Sequence, residues 1–191
     1  MLSILEEHRL PVGAIVGVSA GGLVGVLYGL GYSPQAIRDY IARTSLLEVW
    51  DFDPSQRAIF GPDKIRARLR EAVGGKTFAD LKLLVTVLAL DMNTEREIYL
   101  NSGGLEEALL ATMAIPGFFT PVELNGMLLA DGGVLNPLPV DVARGLGRVS
   151  SRWMCSTITR RLNRRKSSRR AGRCSMLTTL RGGGESGFVR L

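Results

Sequence analysis

Apolar positions along this chain fall into two alternating rhythms. Val12–Val18 is a short, nearly continuous run with its β-branched residues together, the pattern of a buried strand. A helix is predicted from about Ala20 to Leu30, closed by Gly31, and Ser33-Pro34 opens another to about Arg43, with a cap and then Pro in the first turn. Upstream, Leu2–Arg9 reads as the end of a helix with apolar Leu2, Ile4 and Leu5, stopped by Pro11. Pro62–Val73 is amphipathic, with Ile65 and Leu69 on one side and Gly74-Gly75 as its stop. A short helical turn over Thr77–Leu81 leads into Leu83–Met92, whose apolar, β-branched character predicts a buried central strand. Asn93-Thr94 is a turn and Arg96–Leu100 a partner strand; a helix follows from Leu105 to Ala114, ended by Pro116. Ile115–Val122 is an apolar loop, Met127–Ala130 a strand that delivers Asp131-Gly132-Gly133, and Val140–Leu146 a last helix. Trp50–Pro54 and Asn136–Pro139 read as loops. Strands alternating with helices predict an α/β fold with a mostly parallel sheet.

The join between the first strand and its helix carries candidate chemistry. Gly17-Val-Ser19-Ala-Gly21 is a Gly-x-Ser-x-Gly motif with a strand before it and a helix after it. That context forces the serine into a sharp turn with its hydroxyl exposed, a nucleophile elbow. The five residues alone are weak evidence in a chain with 23 glycines, and the flanking elements give them meaning.

Charge divides the chain. Residues 1–147 hold 12 Lys and Arg against 17 Asp and Glu, whereas residues 148–191 hold 12 against 1. The first segment reads as one acidic globular domain. The second, rich in Arg, Ser and Gly and without hydrophobic periodicity, reads as a disordered basic tail or as an out-of-frame segment, and no nucleic-acid partner is expected from it. Cys155 and Cys174 both lie there at a spacing that matches no metal motif. Two cysteines make no disulfide framework, so a reducing, cytoplasmic setting is expected. The N-terminus has acids where a signal peptide carries bases. Leu10–Ile37 is free of charge and long enough to span a bilayer, but its seven glycines, Ser19, Ser33 and Pro34 favour a soluble strand and helices.

A serine hydroxyl needs a base. The only histidine, His8, precedes the elbow, so nothing downstream completes the order Ser, Asp or Glu, His used by α/β-hydrolases. The base, if there is one, has to be a carboxylate. Asp131 is the best candidate, at the end of an apolar strand and followed by two glycines, Gly132 and Gly133, that admit a tight turn. An ordinary Asp, with a pKa near ~3.9, is a weak base for serine. Partial desolvation would raise its basicity, and the positive end of the helix behind Ser19 would favour the developing alkoxide. Asp91, closing the central strand, reads as structural.

Gly17-Val-Ser-Ala-Gly-Gly22, Leu30-Gly-Tyr-Ser-Pro34, Ala114-Ile-Pro-Gly-Phe118 and Asp131-Gly-Gly133, in this order and separation, resemble the patatin-like phospholipases over about residues 1–147. The resemblance implies a three-layer α/β/α domain with a catalytic Ser19–Asp131 dyad and no metal or other cofactor. It implies an acyl ester of a phospholipid or neutral lipid as substrate, with peripheral membrane contact compatible with that substrate. Phe118 and Phe119 would then line the acyl pocket, or else pack as core or lid. The family also carries a Gly-rich oxyanion loop before its first helix. This sequence starts within that helix, so the domain is expected to be incomplete at both ends, with Ala20 N–H as the remaining oxyanion donor. The alternative is a catalytically inactive domain that binds lipid or a partner protein. Oligomeric state is not legible.

Overall fold

The computed structural model describes residues 1–43 and 62–146. The predicted Trp50–Pro54 loop and the basic segment 148–191 lie outside the described residues. Helix α1 (Leu2–Glu7) is followed by β1 (Ala14–Val18), α2 (Ala20–Gly29) and α3 (Pro34–Arg43). After α4 (Pro62–Val73) come a 3₁₀ turn (Phe78–Asp80), β2 (Leu84–Asp91), β3 (Arg96–Leu100) and α5 (Leu105–Met113). The hairpin β4 (Val122–Leu124) and β5 (Met127–Asp131), a 3₁₀ turn (Gly132–Val134) and α6 (Val140–Gly145) complete the described chain. The uncharged stretch Leu10–Ile37 is therefore broken into β1, all of α2 and the start of α3. Among the described residues no helix is long and apolar enough to cross a membrane.

Local signals place most of these boundaries. Ser33 Oγ accepts the Ala36 N–H at 3.2 Å and caps α3. Asp80 reaches back to the Thr77 N–H at 2.7 Å in the reciprocal capping arrangement that opens the short turn before β2. One strand escapes the hydrophobic pattern: β4 is only three residues long. Its hairpin is nonetheless written in Asn125-Gly126, both at positive φ (51° and 76°), the backbone of a type I′ turn.

The sheet is mixed. β1 pairs with β2 in parallel, Ala14 level with Leu84 and Val18 with Leu88. β2 pairs antiparallel with β3 and with β5, and β4 pairs antiparallel with β5. A mostly parallel sheet is thus not what the described strands form. The reason is in the connections: β1 and β2 are joined through helices, as a parallel crossover needs, while β2–β3 and β4–β5 are hairpins.

β2 is buried over all of Val85–Asp91, as its mainly apolar, β-branched run predicts. Val85, Val87 and Ala89 join the main core, shared with Leu23, Val26 and Leu27 of α2, Leu69 and Val73 of α4, and Leu105 and Leu109 of α5. Glycines on α2 let it lie close to the strands; a Cβ on Gly25 would stand 2.8 Å from Ile15 Cγ2. α4 and α5 are tied by Glu106, a buried carboxylate that takes hydrogen bonds from Arg70 Nε (3.2 Å) and Nη2 (3.1 Å), with Arg66 alongside at 3.5 Å. This fixes α5, whose far end bears on the site described below.

One side chain on β2 is a defect in this core. Thr86 is fully buried, and among the described residues its hydroxyl has no hydrogen-bond partner. Leaving a buried hydroxyl unpaired costs about 1–3 kcal/mol. Thr86→Val is expected to raise stability by about 1 kcal/mol, seen as a higher urea midpoint at unchanged slope; a lower midpoint would show that the hydroxyl has a partner after all.

Candidate functional site

β3 runs along one edge of β2 over Val87–Asp91, so β1 and β5 must share the other edge, β1 level with Leu84–Leu88 and β5 with Ala89–Asp91. β1 is parallel to β2 and β5 antiparallel, so the two run toward each other and end at neighbouring residues of β2. Val18 stands level with Leu88 and Asp131 with Ala89. Ser19 and Asp131, 112 positions apart in sequence, are brought together by this end-to-end meeting. The turn after β5 lies directly on the β2 backbone: a Cβ on Gly132 would stand 2.9 Å from the Leu88 carbonyl. Only glycine fits there.

Ser19 has φ 54° and ψ −126°, outside the regions open to L-residues. Such a conformation costs about 1–3 kcal/mol and persists only where its surroundings enforce it. Three contacts do so. Gly17 is packed under the turn, where a Cβ would meet Gly21 O and Gly22 N at 2.6 Å. The Ser19 carbonyl accepts the Gly22 and Leu23 N–H groups at 2.9 and 3.2 Å, opening α2. The Ser19 N–H donates to Thr112 Oγ1 at 2.8 Å. The strain sits on the serine itself, and the two motif glycines are unequal, since nothing among the described residues lies within 4 Å of a Cβ on Gly21.

Asp131 is 4% exposed. Its Oδ1 accepts the Gly133 N–H at 2.7 Å. Burial pushes the carboxyl above its ordinary range, and the Gly133 N–H and the nearby Ser19 hydroxyl offset part of that rise. The Asp131 N–H is held by the Ala114 carbonyl at 2.9 Å, just past α5. The carboxyl is therefore partly desolvated and close to Ser19.

Ala20 is exposed at the head of α2, and among the described residues no acceptor takes its N–H. His8 ends α1 on the surface. Asp91 is spent on structure: it accepts from Thr94 Oγ1 (2.7 Å), Asn93 N (3.2 Å) and Leu128 N (3.3 Å), joining the β2–β3 turn to β5. Those hydrogen bonds, the Thr94 hydroxyl first, hold its carboxyl below the usual range. Phe118 is 49% exposed, and Phe119 is half-buried against the core. A cavity of about 500 Å³ runs along β1, lined by Val16, Gly17, Val18, Gly21, Val24 and Ile37 among others, and by neither Ser19 and Asp131 nor these phenylalanines. No group of three or more His, Cys, Asp or Glu among the described residues is placed to hold a metal ion.

Thr112 has no counterpart in the sequence reading. A lone threonine near the end of an apolar helix gives no signal; its full burial does.

The family model described as patatin-like phospholipase matches residues 1–144. An uncharacterised NTE family protein of Mycobacterium tuberculosis is 30% identical over 148 residues, which cover 76% of this chain and 41% of that protein. Patatin-like phospholipase domain-containing protein 6 of Homo sapiens is 29% identical over 155 residues, covering 77% of this chain and 11% of that protein. The neuropathy target esterase sws of Drosophila melanogaster is 26% identical over a stretch of the same length. The chain thus spans less than half the length of each of these relatives.

Proposed function

The chain belongs to the patatin-like phospholipase family, and from that premise we propose that it hydrolyses acyl esters of lipids with Ser19 as nucleophile and Asp131 as base. The observation that carries this reading is a strained strand-to-helix serine set, by the end-to-end meeting of β1 and β5 at neighbouring β2 residues, beside a buried carboxylate. Ser19 Oγ adds to the ester carbonyl while Asp131 takes its proton. The carbonyl oxygen becomes an oxyanion, for which the open Ala20 N–H and the positive end of α2 are the available donors. Collapse of the tetrahedral species expels the alcohol, which takes the proton from Asp131, and leaves an acyl-enzyme. Asp131 then deprotonates water, whose hydroxide attacks the ester, and the fatty acid leaves as Ser19 regains a proton. The apolar cavity beside Gly17, Val18 and Gly21 supports a substrate with a long apolar part. The relatives named for phospholipase and esterase support the same class.

The test is covalent. A fluorophosphonate probe is expected to label the folded protein at one residue, Ser19, and Ser19→Ala is expected to lose both labelling and ester turnover. Folded protein that binds lipid vesicles equally well with either residue, and never labels, would instead mark a lipid-binding domain without chemistry.

A further inference from the structure

We propose that Thr112 is the positioning residue of the elbow. Its hydroxyl holds the Ser19 N–H and so keeps the nucleophile's strained backbone seated on β2. The consequence for turnover rests on the Ser19–Asp131 reading; the backbone claim does not.

A threonine inside a helix commonly turns its hydroxyl back to a carbonyl of the preceding turn. Thr112 does otherwise. Fully buried, it donates to the Leu88 carbonyl of β2 at 2.5 Å and accepts the Ser19 N–H at 2.8 Å. Leu88 is the residue level with Val18, the last paired residue of β1. The hydroxyl therefore extends the β1–β2 pairing by one link, at the point where the chain turns away from the sheet. Only a hydroxyl can do this, because the link needs one atom that donates and accepts at once. The same end of α5 also supplies the Ala114 carbonyl that holds the Asp131 N–H. Residues 112–114 thus grip the backbone of both members of the dyad. Because its N–H is taken, Ser19 cannot offer it to an oxyanion, which leaves the Ala20 N–H pointing free.

A packing role is the competing account, since the Thr112 methyl lies 3.3 Å from where a Cβ on Gly22 would stand. The two accounts separate in two variants. Thr112→Val keeps the methyl and the shape but removes the hydroxyl; Thr112→Ser keeps the hydroxyl and removes the methyl. Displacing a reacting group by about 1 Å can cost on the order of 100-fold in rate. Thr112→Val is therefore expected to lower kcat by roughly 100-fold with KM within about 3-fold, and Thr112→Ser to restore kcat to within about 3-fold of the parent. The second readout needs no turnover: the Ser19 amide is expected to exchange with deuterium slowly in the parent and in Thr112→Ser, and at least about 10-fold faster in Thr112→Val.

Equal Ser19 protection in Thr112→Val and the parent overturns the proposal. So does Thr112→Ser impaired as badly as Thr112→Val, which would assign the residue to packing. Ester turnover that survives Ser19→Ala would overturn the dyad instead, and the exchange pattern then still decides whether Thr112 holds the elbow.

Discussion

Asp131→Asn is expected to lower kcat by about 100- to 10,000-fold, the usual contribution of a positioned base, without loss of the fold. Asn is nearly the same shape, and its carbonyl oxygen can still accept the Gly133 N–H now held at 2.7 Å. What it cannot do is take a proton from Ser19. The pH dependence follows from the buried carboxyl. Asp131 must be ionised to act, and burial raises its pKa, so parent activity should fall on the acid side with an inflection above the ordinary carboxylate value of about 3.9.

The same shift makes a prediction about stability, with the opposite slope. Between the unfolded and folded pKa values the folded protein binds more protons than the unfolded chain, so this group makes stability decrease as pH rises through that window. At neutral pH the ionised Asp131 is a cost that Asn does not carry. Thermal melts of Asp131→Asn at pH 7 should therefore give a Tm equal to or above the parent's, and the difference should shrink as the pH drops below the folded pKa. A variant that is both inactive and markedly less stable would show Asp131 to be a structural residue of the 3₁₀ turn rather than a base.

The second large effect separates two glycines that the motif treats alike. Gly17→Ala places a methyl 2.6 Å from the backbone at Gly21 and Gly22, which cannot yield without moving the first turn of α2. Overpacking of this kind costs about 1–3 kcal/mol or more, and here it also displaces Ser19. Both the urea midpoint and kcat should fall. Gly21→Ala meets nothing within 4 Å among the described residues, and Ala is favoured over Gly in a helix by about 1 kcal/mol. It should leave the midpoint unchanged or raise it. If the two variants were equally destabilised, the elbow would not be packed as described.

Ser19 was legible in the sequence because every part of its signal is local: an apolar strand, a tight turn and a glycine-rich helix within eighteen residues, 12–29. Asp131 stood out as the candidate base because the one histidine lies ahead of the elbow and Asp131 ends an apolar strand before two glycines. Most of the helices came from caps and stops such as Ser33 and Gly74-Gly75, which act on their immediate neighbours. The direction of the sheet was not legible in the same way. An α/β alternation suggests parallel strands, yet the hairpins at Asn93 and at Asn125-Gly126 turn β3 and β5 against β2. That reversal matters, because it is the antiparallel run of β5 that points Asp131 at the end of β1.

By itself, then, the sequence determined most of the elements and the strand-to-helix turn that carries the proposed nucleophile, because capping, periodicity and turn chemistry are properties of short stretches. Tertiary structure alone decided that Val18 and Asp131 meet at Leu88 and Ala89 on one edge of β2. It alone buried Asp131 enough to raise its basicity, and brought Thr112, 93 positions away, to the Ser19 N–H. Desolvation and long-range hydrogen bonds depend on what the folded chain packs around a group, and no window of sequence around Ser19 contains Thr112 or Asp131.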